Sequence, residues 1–179
     1  MKITPTKIPG VVIIEQPLFS DERGFFQEVF REDRFKEAGL IHHFPQDNHS
    51  RSIQYTLRGL HFQKKPKSQA KLVRVTEGCV FDVAVDIRKE SPTYKQWVGV
   101  ELSSENKKML YIPGECAHGF LTLSETAELQ YKCSDIYSKE HEGSIHWEDP
   151  QLNISWPLPK EGMPIVSKKD AEAPYFSDV

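Results

Sequence analysis

The chain has 179 residues, of which 38% are hydrophobic and 27% are charged, and its formal net charge is −3 at pH 7. These values are typical of one folded globular domain spanning residues 1–179, and they argue against a disordered or fibrous protein. A slightly acidic chain has no broad positive field, so we expect no nucleic-acid partner. No apolar run approaches the roughly 18 residues that a membrane span needs, so we also expect no membrane partner.

The three cysteines, Cys79, Cys116 and Cys133, lie far apart and form no Cys-x-x-Cys pair. An odd number of scattered cysteines predicts buried free thiols in a reducing compartment. The first ten residues lack the apolar core of a signal peptide. Together these features predict a cytoplasmic protein.

The predicted elements are mostly short strands separated by Gly and Pro turns. Residues 11–14 are β-branched and predict the first strand, and residues 25–30 predict the second. Residues 31–40 predict the only helix, which Gly39 ends. Further strands are predicted at residues 71–75, 79–88, 97–102, 108–112, 117–123 and 127–137. This pattern indicates an all-β sandwich or barrel, and the Pro-rich tail from Pro150 onward is expected to pack along it.

One predicted strand alternates strictly between two faces from Phe81 onward. An extended strand directs successive side chains to opposite sides. One face therefore carries Phe81, Val83, Val85 and Ile87, and the other carries Asp82, Ala84, Asp86 and Arg88.

Residues 46–63 combine strand-like apolar positions with an unusual density of polar recognition groups. We interpret this stretch as a strand whose polar face lines a pocket, with His61 as the first candidate for chemistry. Arg58 and Gln63 are costly to bury without a partner, and a ligand anion is one such partner. Histidine exchanges protons most readily near neutral pH, although a structural role for His61 remains open at this point.

A metal site is the alternative interpretation of the same stretch. Many double-stranded β-helix barrels hold a metal with a His-x-His pair, a nearby Glu and a later His. Here Gln63 stands where the second His of the pair would be, and only His118 could serve as the later ligand. We therefore predict no metal.

Three more residues are candidates, each with a structural alternative. Tyr131 and Lys71 share strand faces with apolar residues, so Tyr131 is either a core residue or a proton donor, and Lys71 either contacts an oxyanion or extends to solvent. His118 precedes Gly119, which permits close backbone approach, but it could also simply bond a backbone carbonyl. With a carboxylate such as Asp82, the set is suited to proton transfer.

Eight motifs, in this order, resemble the dTDP-4-dehydrorhamnose 3,5-epimerase family. They are Asp-Glu-Arg-Gly-Phe-Phe-Gln-Glu (21–28), Gln-Asp-Asn-His-Ser (46–50), Leu-Arg-Gly-Leu-His-Phe-Gln (57–63), Lys-Leu-Val-Arg-Val (71–75), Phe-Asp-Val-Ala-Val-Asp-Ile-Arg (81–88), Ala-His-Gly-Phe (117–120), Tyr-Lys-Cys (131–133) and Trp-Glu-Asp-Pro (147–150). The resemblance implies a cupin-type jelly-roll barrel with one short helix and extended terminal segments. It also implies a homodimer with no metal or organic cofactor.

The resemblance further implies the roles of individual residues. The base matches His61, the acid on the other face of the sugar matches Tyr131, and Asp170 pairs with the base, with Asp82 nearby. The implied substrate contacts are Arg23, Glu28, Gln46, Asn48, Arg58, Lys71, His118, Glu142 and Lys168, with Lys169 as an alternative to Lys168.

The implied substrate is a dTDP-linked 4-keto-6-deoxy sugar, and the implied reaction is its epimerisation at C3 and C5 through an enolate. A related sugar-nucleotide 3-epimerase, acting at one centre only, is the alternative. The sequence departs from the family pattern at Gln54-Tyr55, where Lys-Gly is common. Because a Gly permits a tight turn, we expect the local loop to differ.

Overall fold

The computed structural model describes residues 1–41, 43–160 and 162–176. The chain forms two facing antiparallel sheets, with strands numbered along the chain. In spatial order, the six-stranded sheet consists of β1 (Lys2–Pro5), β2 (Val12–Glu15), β10 (Met109–Ile112), β7 (Lys71–Glu77), β12 (Thr126–Cys133) and β5 (Gln46–Ile53). The five-stranded sheet consists of β13 (Glu142–Ser144), β6 (Leu57–Gln63), β11 (Cys116–Thr122), β8 (Cys79–Asp86) and β9 (Trp97–Ser103).

A small hairpin, two short α-helices and one 3-10 turn at Lys139–His141 complete the described structure. The hairpin pairs β3 (Phe19–Asp21) with β4 (Gly24–Phe26), and the helices are α1 (Glu32–Glu37) and α2 (Lys168–Ala171). Antiparallel sheets whose neighbouring strands are mostly not consecutive in sequence are the jelly-roll arrangement. The prediction of an all-β, cupin-type jelly-roll barrel is therefore confirmed.

The main core fills the space between the two sheets. Val73 and Leu129 of the six-stranded sheet pack into one buried cluster with Val80, Ala84 and Phe120 of the five-stranded sheet. Burying this apolar surface drives the two sheets together. Polar side chains that face inward but lie outside this cluster line a pocket.

Strand β8 is buried on both faces, and its successive side chains point alternately to two different buried environments. Val83 and Val85 face away from the main core and join a second cluster that includes Leu152 and Phe176 from the C-terminal part of the chain. The opposite face carries Asp82, which is fully buried. The expectation that the Pro-rich tail packs along the domain is therefore confirmed.

The single strand predicted from residue 46 to residue 63 is wrong. The stretch forms β5 and β6, which belong to different sheets. The chain turns between them at Tyr55, whose φ is 61°, and Tyr55 N–H donates to Thr122 O at 2.9 Å. This left-handed backbone is the conformation that glycine adopts most easily, so Tyr55 supports a tight turn although it replaces the glycine common in the family.

Several element boundaries also differ from their predictions. The strand predicted at 25–30 ends at Phe26, and the helix predicted at 31–40 covers only Glu32–Glu37. The Phe30 ring instead packs against Phe35, with ring centroids 4.9 Å apart. The strand predicted at 127–137 ends at Cys133. Helix α2 was not predicted, because its four residues are too few to show a helical period.

Candidate active site

A cavity of about 560 Å³ opens between the two sheets, which is within the usual size range for a small-molecule site. Its walls are formed by β5, β7 and β12 of one sheet and by β6 and β11 of the other, and the segment around α2 closes one side. Nine of the predicted site residues line it: Gln46, Asn48, Arg58, His61, Lys71, His118, Tyr131, Glu142 and Asp170.

His61 and Asp170 form a close polar pair in the cavity wall. The His61 Nε2 atom lies 2.6 Å from Asp170 Oδ1, and the two side chains are 33% and 5% exposed. Burial disfavours the charged carboxylate, but hydrogen bonds from His61, Ser167 and the Gly59 backbone outweigh that cost, so the pKa of Asp170 is lowered. An ionised Asp170 fixes the orientation of the imidazole, whose ring remains accessible to the cavity.

Helix α2 positions Asp170. The Ser167 Oγ atom accepts a hydrogen bond from Asp170 N at 3.1 Å, which is a helix N-cap contact. His61 comes from β6, where it pairs with His118 of β11. The hydrogen bond between His61 and Asp170 therefore joins two segments that are 109 positions apart in the sequence.

A second His–Asp pair lies deeper in the molecule. His118 Nε2 is 2.9 Å and 3.1 Å from the two carboxylate oxygens of Asp82, and both residues are buried. Burial lowers the pKa of His118 despite the opposing effect of Asp82. The ring is therefore neutral, and its Nε2–H donates to Asp82 instead of to a backbone carbonyl.

Lys71 points into the cavity and not to solvent. The side chain is almost fully buried, and its Nζ donates to His61 O at 3.4 Å. Burial lowers the pKa of Lys71, while the acidic groups of Cys133, Asp82 and Glu142 oppose that shift. A buried amine beside the candidate base is suited to stabilising an oxyanion.

Tyr131 stands on the wall opposite His61. It belongs to the six-stranded sheet, and its ring centroid is 6.4 Å from that of His118. Burial, together with the nearby Cys133, raises the pKa of Tyr131 in spite of the positive charge of Arg58. The phenol therefore remains protonated at neutral pH and can donate a proton.

The polar groups of β5 and β6 form the outer part of the cavity. Gln46 Nε2 donates to Asn48 Oδ1 at 3.2 Å, and Gln46 Oε1 accepts from Tyr137 N at 2.7 Å. The Arg58 side chain donates through Nε to Ser52 Oγ at 3.1 Å. These contacts orient the amides and the guanidinium without using all of their donors.

Of the two candidate late lysines, Lys169 lines the cavity and Lys168 does not. Lys169 Nζ is 2.5 Å from Glu142 Oε1, and Tyr137 Oη donates to Glu142 Oε2 at 3.2 Å. Lys168 is exposed and lies 3.8 Å from Glu172 Oε1. The two lysines differ because consecutive helical residues face different directions.

Arg23 and Glu28 lie outside this cavity. Arg23 is at the tip of the β3–β4 hairpin, 84% exposed, where it bonds Asp21 at 2.5 Å. Glu28 forms ion pairs with Arg31 and Arg34 at 3.7 and 3.4 Å. The structure therefore does not bring either residue to the substrate pocket of its own chain.

A ligand anion was one possible partner for the buried Gln63, but the partners that the structure shows belong to the chain itself. Its Nε2 donates to Lys67 O at 2.6 Å, and its Oε1 accepts from Ser138 N at 2.6 Å. Gln63 thereby ties two loops to the cavity wall. Sequence reasoning also missed Tyr137 at the cavity mouth, since it lay at the end of an overlong predicted strand.

Across residues 1–41, 43–160 and 162–176, no three His, Cys, Asp or Glu side chains are grouped as a metal site requires. Over the same part of the chain, no helix is sufficiently long and apolar to cross a bilayer.

Known proteins resemble this chain over nearly its whole length. The family model described as dTDP-4-dehydrorhamnose 3,5-epimerase matches residues 5–178. The Salmonella typhimurium protein of that name is 54% identical over 98% of this chain and 96% of its own length.

Two crystal structures give the same result. The Elizabethkingia anophelis dTDP-4-dehydrorhamnose 3,5-epimerase has a TM-score of 0.95 at 50% identity, covering 99% of this chain and 97% of that one. A Legionella pneumophila 3,5-epimerase in complex with dTDP-4-keto-L-rhamnose has a TM-score of 0.92 at 51% identity, covering 97% of this chain and 92% of that one. The chain belongs to the dTDP-4-dehydrorhamnose 3,5-epimerase family, whose members are isomerases.

Proposed function

We propose that His61, Asp170 and Tyr131 carry out the 3,5-epimerisation for which the family is named. The substrate is dTDP-4-keto-6-deoxy-D-glucose and the product is dTDP-4-keto-L-rhamnose, a step of dTDP-L-rhamnose biosynthesis. The observation that carries the proposal is the 2.6 Å contact of His61 with Asp170 in a cavity that Tyr131 lines from the other sheet.

Proton removal is the first step. The C4 ketone acidifies the C–H bonds at C3 and C5, so a base beside the ring can form an enolate. When His61 Nε2–H donates to Asp170, the Nδ1 atom carries the lone pair that accepts the substrate proton. Asp170 also stabilises the imidazolium that forms, as a carboxylate does for a catalytic histidine in other enzymes.

The enolate oxygen needs a nearby positive charge or a hydrogen-bond donor. Lys71 meets this need, because its amine is buried in the cavity next to the His61 backbone. His118 is less suitable, since it is neutral and its Nε2–H is already directed at Asp82. We assign Lys71 to the oxyanion and assign His118 to shaping the wall behind it.

The new proton at C5 comes from the opposite side of the ring. Tyr131 belongs to the sheet that faces His61 and is held protonated by its burial. A neutral phenol there can deliver a proton to the face that His61 does not serve, while solvent reprotonates C3. Arg58, Gln46 and Asn48 hold the nucleotide diphosphate, because guanidinium donors pair well with phosphate oxygens.

We further propose that the active protein is a homodimer. Phe19, Phe25 and Phe26 of the β3–β4 hairpin are 63%, 59% and 67% exposed, which is costly unless another surface covers them. Arg23 lies in the same hairpin and outside the cavity of its own chain. A second copy that receives the hairpin would cover these rings and bring Arg23, and the nearby Glu28, to the substrate.

The remaining expectations concern organisation and environment. We propose that residues 1–179 act as one epimerase domain, which the match of the family model over residues 5–178 supports. The free cysteines, two of them buried, are suited to a reducing cytoplasm. We expect no cofactor, so activity should survive prolonged chelation, and a metal-dependent enzyme would lose it.

Product analysis in deuterium oxide tests the proposed reaction. We expect dTDP-4-keto-6-deoxy-D-glucose to be converted to the L-rhamno product with deuterium at both C3 and C5. Label and inversion at C3 alone would instead identify the one-centre epimerase. No exchange at either position would refute the epimerase proposal.

A further inference from the structure

The Asp170 carboxylate is carried by a segment that hydrogen bonds attach at both ends, and near its far end His146 N also donates to Pro174 O at 2.8 Å. We call residues 165–176 the strap. At its start, Ile165 N donates to Tyr55 O at 2.8 Å, and Ile165 O accepts from Leu57 N at 2.9 Å. These bonds attach the strap next to β6, four residues before His61.

The far end of the strap is fixed by a buried carboxylate, Asp149. Its Oδ2 accepts a hydrogen bond from Phe176 N at 2.6 Å. Its Oδ1 accepts from Gln151 N and Leu152 N at 2.8 and 3.1 Å, and the residue is only 2% exposed. A carboxylate can be buried at acceptable cost when several N–H groups satisfy its oxygens.

The same turn is also connected to the strand that carries His61. Ile145, four residues before Asp149, exchanges two backbone hydrogen bonds with Leu60, at 3.0 and 3.1 Å. Leu60, Ile145, Leu152 and Phe176 belong to one buried cluster. The turn at Asp149 therefore contacts both sides of the His61–Asp170 pair, the strand through Ile145 and the strap through Phe176.

We infer that Asp149 is a positioning residue for the reaction, because its bond to Phe176 N holds the strap in the place where Asp170 meets His61. This inference rests on the proposed roles of His61 and Asp170. Misplacing a catalytic group by about 1 Å can cost on the order of 100-fold in rate. A buried aspartate outside the cavity can therefore control the rate without touching substrate.

Asp149→Asn is the most selective variant. The amide oxygen of the asparagine can still accept from Gln151 N and Leu152 N. Its NH₂ group then faces Phe176 N–H, and because both groups are donors, the hydrogen bond to the strap is lost. The matched control is Asp86→Asn, since Asp86 is equally buried and is bonded by Arg88, Ser91 and Thr93 in a different turn.

In the purified full chain, Asp149→Asn is expected to lower kcat about tenfold or more with KM changed less than about twofold, by the positioning argument above. Asp86→Asn should lose stability while keeping its kcat. In an Asp170→Asn background, Asp149→Asn should have no further effect on kcat, because the group that it positions is already disabled. Amide exchange at Asp170 should also become faster in Asp149→Asn but not in Asp86→Asn.

Equal losses of kcat in the Asp149 and Asp86 variants, or additive losses with Asp170→Asn, would overturn the inference. If Asp149→Asn does not fold, Phe176→Pro removes the same N–H donor from the strap side and is expected to give the same loss of kcat at unchanged KM. Unchanged kcat in that variant would also overturn it. If the wild-type chain does not epimerise the keto sugar, the proposed function is refuted instead. The amide-exchange measurement would then still show whether Asp149 positions Asp170.

Discussion

The two His–Asp pairs have the same chemical groups but different surroundings. His61–Asp170 lies at the cavity wall with the imidazole one-third exposed, and it joins two segments distant in sequence. His118–Asp82 is buried and joins two hydrogen-bonded strands, β11 and β8. The imidazole of the first pair is therefore the more accessible of the two to a bound molecule and to solvent.

Burial decides between the two roles. A buried imidazole loses hydration when it becomes charged, so the pKa of His118 falls although a carboxylate lies 2.9 Å away. A base has to accept a proton and therefore has to tolerate the charged form. This difference supports the proposal that His61 is the base and that His118 has a structural role, and substitutions in the two pairs can test that division.

The largest effect is expected for His61→Gln. Loss of a general base typically costs about 10²–10⁴-fold, and deuterium exchange at both C3 and C5 should decrease with it. Nuclear magnetic resonance of the recovered keto sugar measures the exchange. Exchange at the wild-type rate would show that another residue is the base, and the proposed difference in role between the two His–Asp pairs would then be wrong.

The second-largest effect is expected for Tyr131→Phe, which tests the proposed proton donor on the wall opposite His61. Without the phenolic proton, we expect conversion to the L-rhamno product to fall by about 10² or more, the usual size of a general-acid contribution. Exchange at C3 should persist, because His61 and Lys71 are intact. Full L-rhamno product at the wild-type rate would exclude Tyr131 as the acid.

Asp170→Asn and Asp82→Asn compare the two carboxylates directly. Asp170→Asn should lower kcat about 10-fold to 100-fold, since it changes the orientation and charge of the base. Asp82→Asn should mainly lower stability, by about 1–3 kcal/mol for a perturbed buried hydrogen bond. Steady-state kinetics and urea unfolding separate the two outcomes. If instead Asp82→Asn lowered kcat and Asp170→Asn lowered only stability, His118–Asp82 would be the catalytic pair and His61–Asp170 the structural one.

The smallest expected effect is a pH dependence of stability. The pKa of Asp170 is lower in the folded chain than in the unfolded chain, where it is about 3.9. Its contribution is therefore fully present above that value and is lost as pH falls through the folded pKa. Wild type should be more stable than Asp170→Asn at pH 6, and the difference should shrink below about pH 4. Parallel unfolding curves at all pH values would contradict the lowered pKa.

Local patterns were sufficient to predict the β class and most strands, and they placed Lys71 and Tyr131 on the apolar faces of their strands, where two roles remained possible for each residue. Strand alternation is a local property, and the matching motifs identified the residues that meet in the cavity. The pairing of His118 with Asp82 was not predicted, because it depends on the register between β11 and β8 and not on spacing along the chain.

Other features escaped prediction for different physical reasons. The break at Tyr55 was missed since a non-glycine residue there gives no turn signal, although its φ is 61°. The choice between Lys168 and Lys169 depends on which way a four-residue helix faces. The exposed position of Arg23 depends on a hairpin whose environment involves more than one chain, under the proposed dimer.

The location of His61 and Tyr131 on different sheets has a consequence for chirality. Facing sheets are about 10 Å apart, which leaves space for one sugar ring with a side chain on each side. The face that gains a proton is therefore selected by which wall carries the base and which carries the acid, and not by the intrinsic chemistry of imidazole or phenol. A jelly roll with the same two groups exchanged between its walls would attack the mirror-related face and would favour the opposite configuration at the same carbon.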